Sequence, residues 1–336
     1  MNLMSLSDDA HALVLACSYV GLDPKSELTP LSLKEWNTLA PRLAQSTLKT
    51  PGGILGLPAQ TLQTELGLSN EETQRLAALL DRGGAVGFEL ENLSNAGIQI
   101  VTRADSHYPK RAREKLKAQA PVVMFFAGDL ALADQESVAI VGSRAVDEAG
   151  ADFTARLAAL CGRNRLNVVS GGAKGVDIIS MQTVFENAGK CIGVMSDGLA
   201  KKIREREARQ YIFEERLLLL SPFHPSAPFQ VGNAMARNKM IYGLADYAVV
   251  VASDLEKGGT WAGATENLRQ GYAPLFVRSA PELPPGNSAL LKKGAVPLTS
   301  AEIEEADSNL RQMFADKISS FKREDKIPTS QQATLF

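Results

Sequence analysis

The sequence predicts an α/β protein, a doubly wound and mostly parallel sheet with a small N-terminal helical domain. Three observations predict it. Short apolar runs of strand length alternate with helical patterns from about residue 135 onward, residues 1–82 show helical periodicity without strand alternation, and Gly-rich segments follow the predicted strands.

Within 1–82, Ser69 and Glu72 make a capping box ahead of Leu76, Leu79 and Leu80. The turns at Pro51-Gly52-Gly53, Gly56 and Gly67 read first as ordinary turns of a helical cap. The alternative is a helix-hairpin-helix or SAM-like module, which would set backbone amides on nucleic-acid phosphates. Residues 83–134 form a connecting segment with a strand in 97–102. A basic run follows, Lys110, Arg111, Arg113, Lys115 and Lys117, read as a solvated helix face before a phosphate-contacting one.

The regular domain is assigned to 135–300. Its strands are 138–141, 167–170, 191–195, 217–220, 247–251 and 274–277. Its helices are one marked by Phe153, Leu157 and Leu160 that closes at Gly162, then 178–188, 201–216, 233–244 and 260–270. Alternation of this kind implies right-handed crossovers and parallel pairing. Residues 301–336 read as a charged helix, 302–321, and an exposed tail from Lys326, where Pro328, Thr329 and Ser330 oppose folding.

Composition bounds the function. With 336 residues, 45% of them apolar, the chain can bury a full core and suggests about two domains. Lys and Arg number 36 against 38 Asp and Glu, so any nucleic-acid contact must come from local clusters rather than a global basic field. Cys17, Cys161 and Cys191 lack C-x-x-C spacing and His11, His107 and His224 are scattered, which argues against disulfides and a zinc site. The apolar run near 13–20 follows Asp8 and Asp9, where a signal peptide needs positive charge, and no segment has membrane-spanning length. The expectation is a reduced, cytoplasmic, soluble protein with no membrane partner.

The strand ends carry the polar chemistry. The first leads into Gly142-Ser143-Arg144, the second into Ser170-Gly171-Gly172-Ala173-Lys174-Gly175, and the fifth into Lys257-Gly258-Gly259-Thr260. Glycines let backbone N–H groups approach phosphates, and the helix starts behind them favour anions. The expected product is an electropositive crevice beyond the carboxyl ends of the strands. G-x-G-x-x-G is missing after the first strand, no acidic residue ends the second, and G-x-x-x-x-G-K-[ST] occurs nowhere, so dinucleotide binding and P-loop chemistry both fall away. No cofactor is expected.

Further motifs run in order along the chain: Gly97 to Pro109, Pro121-Val-Val-Met-Phe-Phe-Ala-Gly128-Asp129 and Val138-Ala-Ile-Val-Gly-Ser-Arg144. They continue with Ser170-Gly-Gly-Ala-Lys-Gly-Val-Asp177, then Gly232-Asn233, Arg237-Asn238-Lys239, Ile241 and Gly243-Leu244, and Leu290-Leu291-Lys-Lys-Gly294-Ala295. On these residues, from 97 to 297, the chain resembles the DprA/Smf (DNA-processing protein A) family. The resemblance implies a Rossmann-like domain that binds single-stranded DNA, forms a homodimer and helps load a RecA-type recombinase in transformation or recombination, with no covalent chemistry. The strand-end loops and the resemblance together give the DNA-binding set Gly142, Ser143, Arg144, Ser170, Gly171, Gly172, Lys174, Asn233, Arg237, Lys239, Gly258, Gly259 and Thr260. In it the resemblance implies a phosphate contact for Arg144, a pocket lined by Gly171, Gly172 and Lys174, and charge beside it from Arg237 and Lys239. Asp177 reads as a helix cap. Late apolar residues, Leu275, Phe276, Leu290 and Leu291, are the candidate dimer material.

Departures from the family pattern matter as well. Gln230 stands where many members are basic, and 301–336 is too short and polar for a winged helix. Gly258-Gly-Thr-Trp-Ala-Gly-Ala-Thr-Glu266 is similar to the Pro-Gly-Gly-x-Gly-Thr-x-x-Glu loop of lysine-decarboxylase-like phosphoribohydrolases. Glu266 would then serve a nucleotide or nucleoside N-glycosidase, although Ala262 and the missing proline break that motif. A helix-start glutamate is otherwise a dipole partner. Finally, Gln332-Ala333-Thr334-Leu335-Phe336 resembles the Gln-x-x-Leu-Phe peptide that docks on sliding clamps, with Gln332, Leu335 and Phe336 as the contacts.

Overall fold

The computed structural model describes residues 6–324. The proposed clamp peptide, with Gln332, Leu335 and Phe336, lies outside the described residues. Among the described residues nine strands are formed: β1 (Gln99–Thr102), β2 (Val123–Ala127), β3 (Ser137–Val141), β4 (Asn167–Ser170), β5 (Cys191–Val194), β6 (Leu217–Ser221), β7 (Tyr247–Val250), β8 (Leu275–Arg278) and β9 (Val296–Leu298). Their order is β1-β2-β6-β5-β4-β3-β7-β8-β9. The α/β, mostly parallel reading therefore stands. The chain divides into two compact units, Met1–Asp134 with Gly193–Met240, and Gln135–Ile192 with Ile241–Phe336.

In the first unit, Ser69 caps the helix Asn70–Leu80 through the reciprocal bonds with Glu72 that the sequence predicted. The Gly52 amide is occupied by Asp9 Oδ1 at 2.6 Å, which favours the ordinary-turn reading of that segment. Part of the basic run is also structural. Arg113 donates to the carbonyls of Arg103 (3.2 Å) and Asp105 (2.8 Å) and lies 5.4 Å from the Tyr108 ring centroid, so this cation braces its own loop. The helix expected over 201–216 is two helices, Leu199–Lys202 and Arg206–Phe213. Glu205 turns extended between them, a break invisible to propensity because both halves are rich in helix formers.

β2 pairs antiparallel with both β1 and β6. Its run Val123-Met-Phe-Phe-Ala127 is buried throughout and shows no alternation, which is why periodicity did not mark it as a strand.

In the second unit β3 pairs parallel with β4 and β7, β7 with β8, and β8 with β9. β3 and β4 are buried along their whole length, as near-continuous apolar strands covered on both faces must be. The short β9 contains Pro297, which an edge position tolerates. The charged C-terminal helix also divides, into Ser300–Ala306 and Leu310–Glu324. Asn164 holds the break: its Nδ2 donates to the Asp307 carbonyl (2.6 Å) and its Oδ1 accepts from the Leu310 amide (3.2 Å).

The candidate dimer residues need correction. Leu275, Phe276 and Leu290 are core residues of their own chain, and Leu291 is half-buried. Phe276 spends its face on Phe314, at a centroid distance of 4.8 Å. An apolar run cannot by itself distinguish a core from an interface.

Candidate nucleic-acid interface

β4, β3 and β7 are consecutive and parallel, so their carboxyl ends leave the sheet on one edge. The three predicted glycine-bearing loops start there. They are also joined to one another. The Ser143 amide donates to the Ala252 carbonyl at 2.9 Å, tying the first loop to the third, and the Val176 amide donates to the Ser143 carbonyl at 3.4 Å, tying the second to the first.

Gly175 makes the second contact possible. Its φ is +76°, which L residues rarely adopt, and a Cβ there would meet the carbonyl oxygens of Ser143 and Arg144, the latter at 2.7 Å. Ser143 Oγ accepts from the Ala145 amide at 3.1 Å, shaping the turn that carries Arg144. Arg144 and Lys174 are exposed, Gly142, Ser143 and Gly172 are half-buried, and Gly171 is buried. Ser170 is buried and donates its hydroxyl to the Ile140 carbonyl at 2.8 Å, so that group ties β4 to β3 and offers a ligand nothing.

The third loop runs into the helix Gly258–Gln270, whose cap residue Lys257 is extended and supplies no side-chain bond. Gly258 and Gly259 are exposed and Thr260 is half-buried. The helix Val176–Glu186 likewise begins without a side-chain cap, at Gly175. Two helix starts without side-chain caps thus face the loop edge, with the partial positive charge that favours anions.

Asp177 is 6% exposed and accepts from the Ala173 amide at 3.2 Å. It reaches back into the loop from inside the helix, which keeps the structural reading but moves it off the cap position. Its charge has consequences below the loops. Burial, then Asp177 and Glu266, push the Tyr242 phenol well above the usual range, and burial with Asp177 does the same for the Cys191 thiol.

Glu266 is not a helix-start residue. The helix begins at Gly258, so Glu266 lies in its third turn, too far along for a dipole role, and the Tyr272 hydroxyl stands 3.4 Å from its Oε1. Arg237, expected to offer charge beside the crevice, is 5% exposed on the helix Val231–Leu244. At that burial its guanidinium is not a solvent-facing charge. Asn233 and Lys239 on that helix are half-buried and belong, with Arg237, to the first unit. Sequence reading missed Arg278 and Asn287, which hold the third loop; the only signal was a charged residue closing the apolar run 275–277.

Comparison with known proteins agrees with this layout. The family model for DNA recombination-mediator protein A matches residues 99–306. The chain is 32% identical over 188 residues to the DNA processing protein DprA of Streptococcus pneumoniae, covering 54% of this chain and 65% of that protein, just under two thirds of its length. It is 30% identical over 211 residues to DprA of Bacillus subtilis, covering 61% and 70%. Among solved structures, DprA from Streptococcus pneumoniae matches with a TM-score of 0.64 at 22% identity, covering 90% of this chain and 99% of that one, and shows the shared fold. DNA processing protein A from Helicobacter pylori, studied for its single-stranded DNA binding mode, matches with a TM-score of 0.53 at 27% identity, covering 65% and 98%. The family match spans more than half of the chain and contains all three strand-end loops, and the protein therefore belongs to the DNA recombination-mediator protein A (DprA/Smf) family.

Proposed function

We propose that the protein grips the sugar–phosphate backbone of single-stranded DNA at the loops after β3, β4 and β7. It would serve recombination or transformation in the cytoplasm by protecting that DNA and presenting it, as a homodimer, to a RecA-type recombinase. The observation that carries this reading is the joining of three glycine-bearing loops on one sheet edge, with Arg144 and Lys174 exposed on two of them. An arginine fork and a lysine point charge beside exposed backbone suit a polyanion gripped regardless of its sequence. The Helicobacter pylori relative supports the choice of single-stranded DNA. Asn233 and Lys239 stay as candidates on the family resemblance alone, and the placement of Glu266 beside Tyr272 gives the glycosidase reading no support.

Fluorescence anisotropy with single- and double-stranded oligonucleotides over a salt series tests the proposal. Arg144→Ala and Lys174→Ala are each expected to weaken binding about tenfold, by a similar factor for every sequence, the scale of a charged hydrogen bond. Each should flatten the log–log salt slope by about 0.7, the value for one single-strand phosphate contact. Unchanged affinity and slope in both variants, with circular dichroism intact, would remove the site.

The tail peptide ending in Leu335 and Phe336 would add a second partner, the sliding clamp, through an apolar pair and the directional amide of Gln332. Intact protein is expected to bind immobilised clamp, and a variant lacking Leu335 and Phe336 to lose that binding. Equal retention of both proteins, or of neither, refutes it.

A further inference from the structure

Arg278 closes β8 with a side chain that is 4% exposed. Taking a guanidinium out of water is costly unless its N–H groups find partners. Those partners join two loops of the proposed site. Nε donates to the carbonyl of Val251, the residue after β7, at 3.1 Å, and Nη2 stands 3.4 Å from Oδ1 of Asp147. Asp147 ends the loop that starts at Gly142 and caps the helix Glu148–Arg163 through the Gly150 amide at 2.8 Å. Val251 begins the loop that ends at Gly258. One planar fork therefore holds the far end of the first loop and the near end of the third, which a point charge cannot do.

Asn287, fully buried on the next helix, completes the brace. Its Nδ2 donates to the carbonyls of Val251 (2.9 Å) and Arg278 (3.2 Å), and its Oδ1 accepts from the Ser253 amide at 2.9 Å. The Gly286 amide donates to the Ser253 carbonyl at 3.0 Å, and a Cβ at Gly286 would run into the carbonyls of Ser253 and Asp254. The backbone groups of Val251 and Ser253 are thus held by protein donors and acceptors, and the path of the third loop follows from them. The Asp147 side chain is 61% exposed, so its ion pair contributes little by itself; the buried bond to Val251 is the stronger half.

We infer that Arg278 is a positioning residue of the phosphate site, fixing with Asn287 the register of loops 142–147 and 251–258 while itself touching no DNA. The inference rests on the function proposed above. It is tested with Arg278→Lys and Arg278→Gln in the full chain, measured beside wild type and Arg144→Ala. Two readouts are needed: single-stranded DNA affinity over the salt series, and amide hydrogen exchange of the DNA-free protein. Both variants are expected to bind about tenfold more weakly, as for a lost hydrogen bond to a charged group, with the wild-type salt slope. Exchange should quicken in 142–147 and 251–258 and nowhere else, and Lys should not rescue. Unchanged affinity with unchanged exchange overturns the inference. So does a slope flattened by about 0.7, which would make Arg278 a phosphate contact, and so does loss of helical signal in both variants, which would make it a support of the whole fold. If wild type fails to bind single-stranded DNA, the proposed function falls, while the exchange pattern still decides whether the brace exists.

Discussion

Gly175→Val is expected to abolish single-stranded DNA binding and to lower stability by about 2–4 kcal/mol, the sum of backbone strain and forced repacking. The residue sits at φ +76° and ψ −128°, and its Cα faces the Ser143 and Arg144 carbonyls with no room for a side chain. Accommodating valine requires the second loop to leave the first, which removes the Val176-to-Ser143 bond and shifts the loop that carries Lys174 relative to the one that carries Arg144. Both effects appear in one experiment, thermal unfolding followed by DNA titration well below the midpoint. Native-like stability with full affinity would show that the two loops do not need their close approach.

Phe314→Ala should cost about 3–5 kcal/mol in urea unfolding, as for other large core truncations, and leave DNA affinity unchanged wherever the protein is folded. Phe314 is fully buried on the helix Leu310–Glu324. It stacks on Tyr247 at 4.6 Å with 23° between the rings, and meets Phe276 at 4.8 Å. Tyr247 opens β7, so this cluster lies at the amino end of the strand whose carboxyl end carries the third loop. The separation makes the pair of measurements informative: a loss below about 1 kcal/mol would mean the helix is not packed as described, since removing a fully buried phenyl ring costs about 3 kcal/mol or more. A binding defect in the folded variant would couple two ends of β7 that the proposed site treats as independent.

Much of this protein was legible in its sequence. The extent of β4, those of β3 and β7 to within one residue, the cap at Ser69 and the placing of the glycine-bearing loops at strand ends were legible, because each depends on a few neighbouring residues. Apolar runs of strand length report burial, a Ser-x-x-Glu spacing satisfies two amides locally, and a glycine reports a backbone need at its own position. Other features were set by the tertiary structure alone. That Gly175 packs on Ser143, that Arg237 is buried and not a surface charge, and that Phe276 faces Phe314 instead of a partner subunit are outcomes of which elements meet. The antiparallel pairing of β2 and the break held by Asn164 are of the same kind. Arg278 is the sharpest instance, since its partner Asp147 lies 131 residues away in the chain. Periodicity and propensity act over a turn or two, whereas the bonds that offset a buried charge are chosen across the whole sheet, after the strands have found their order.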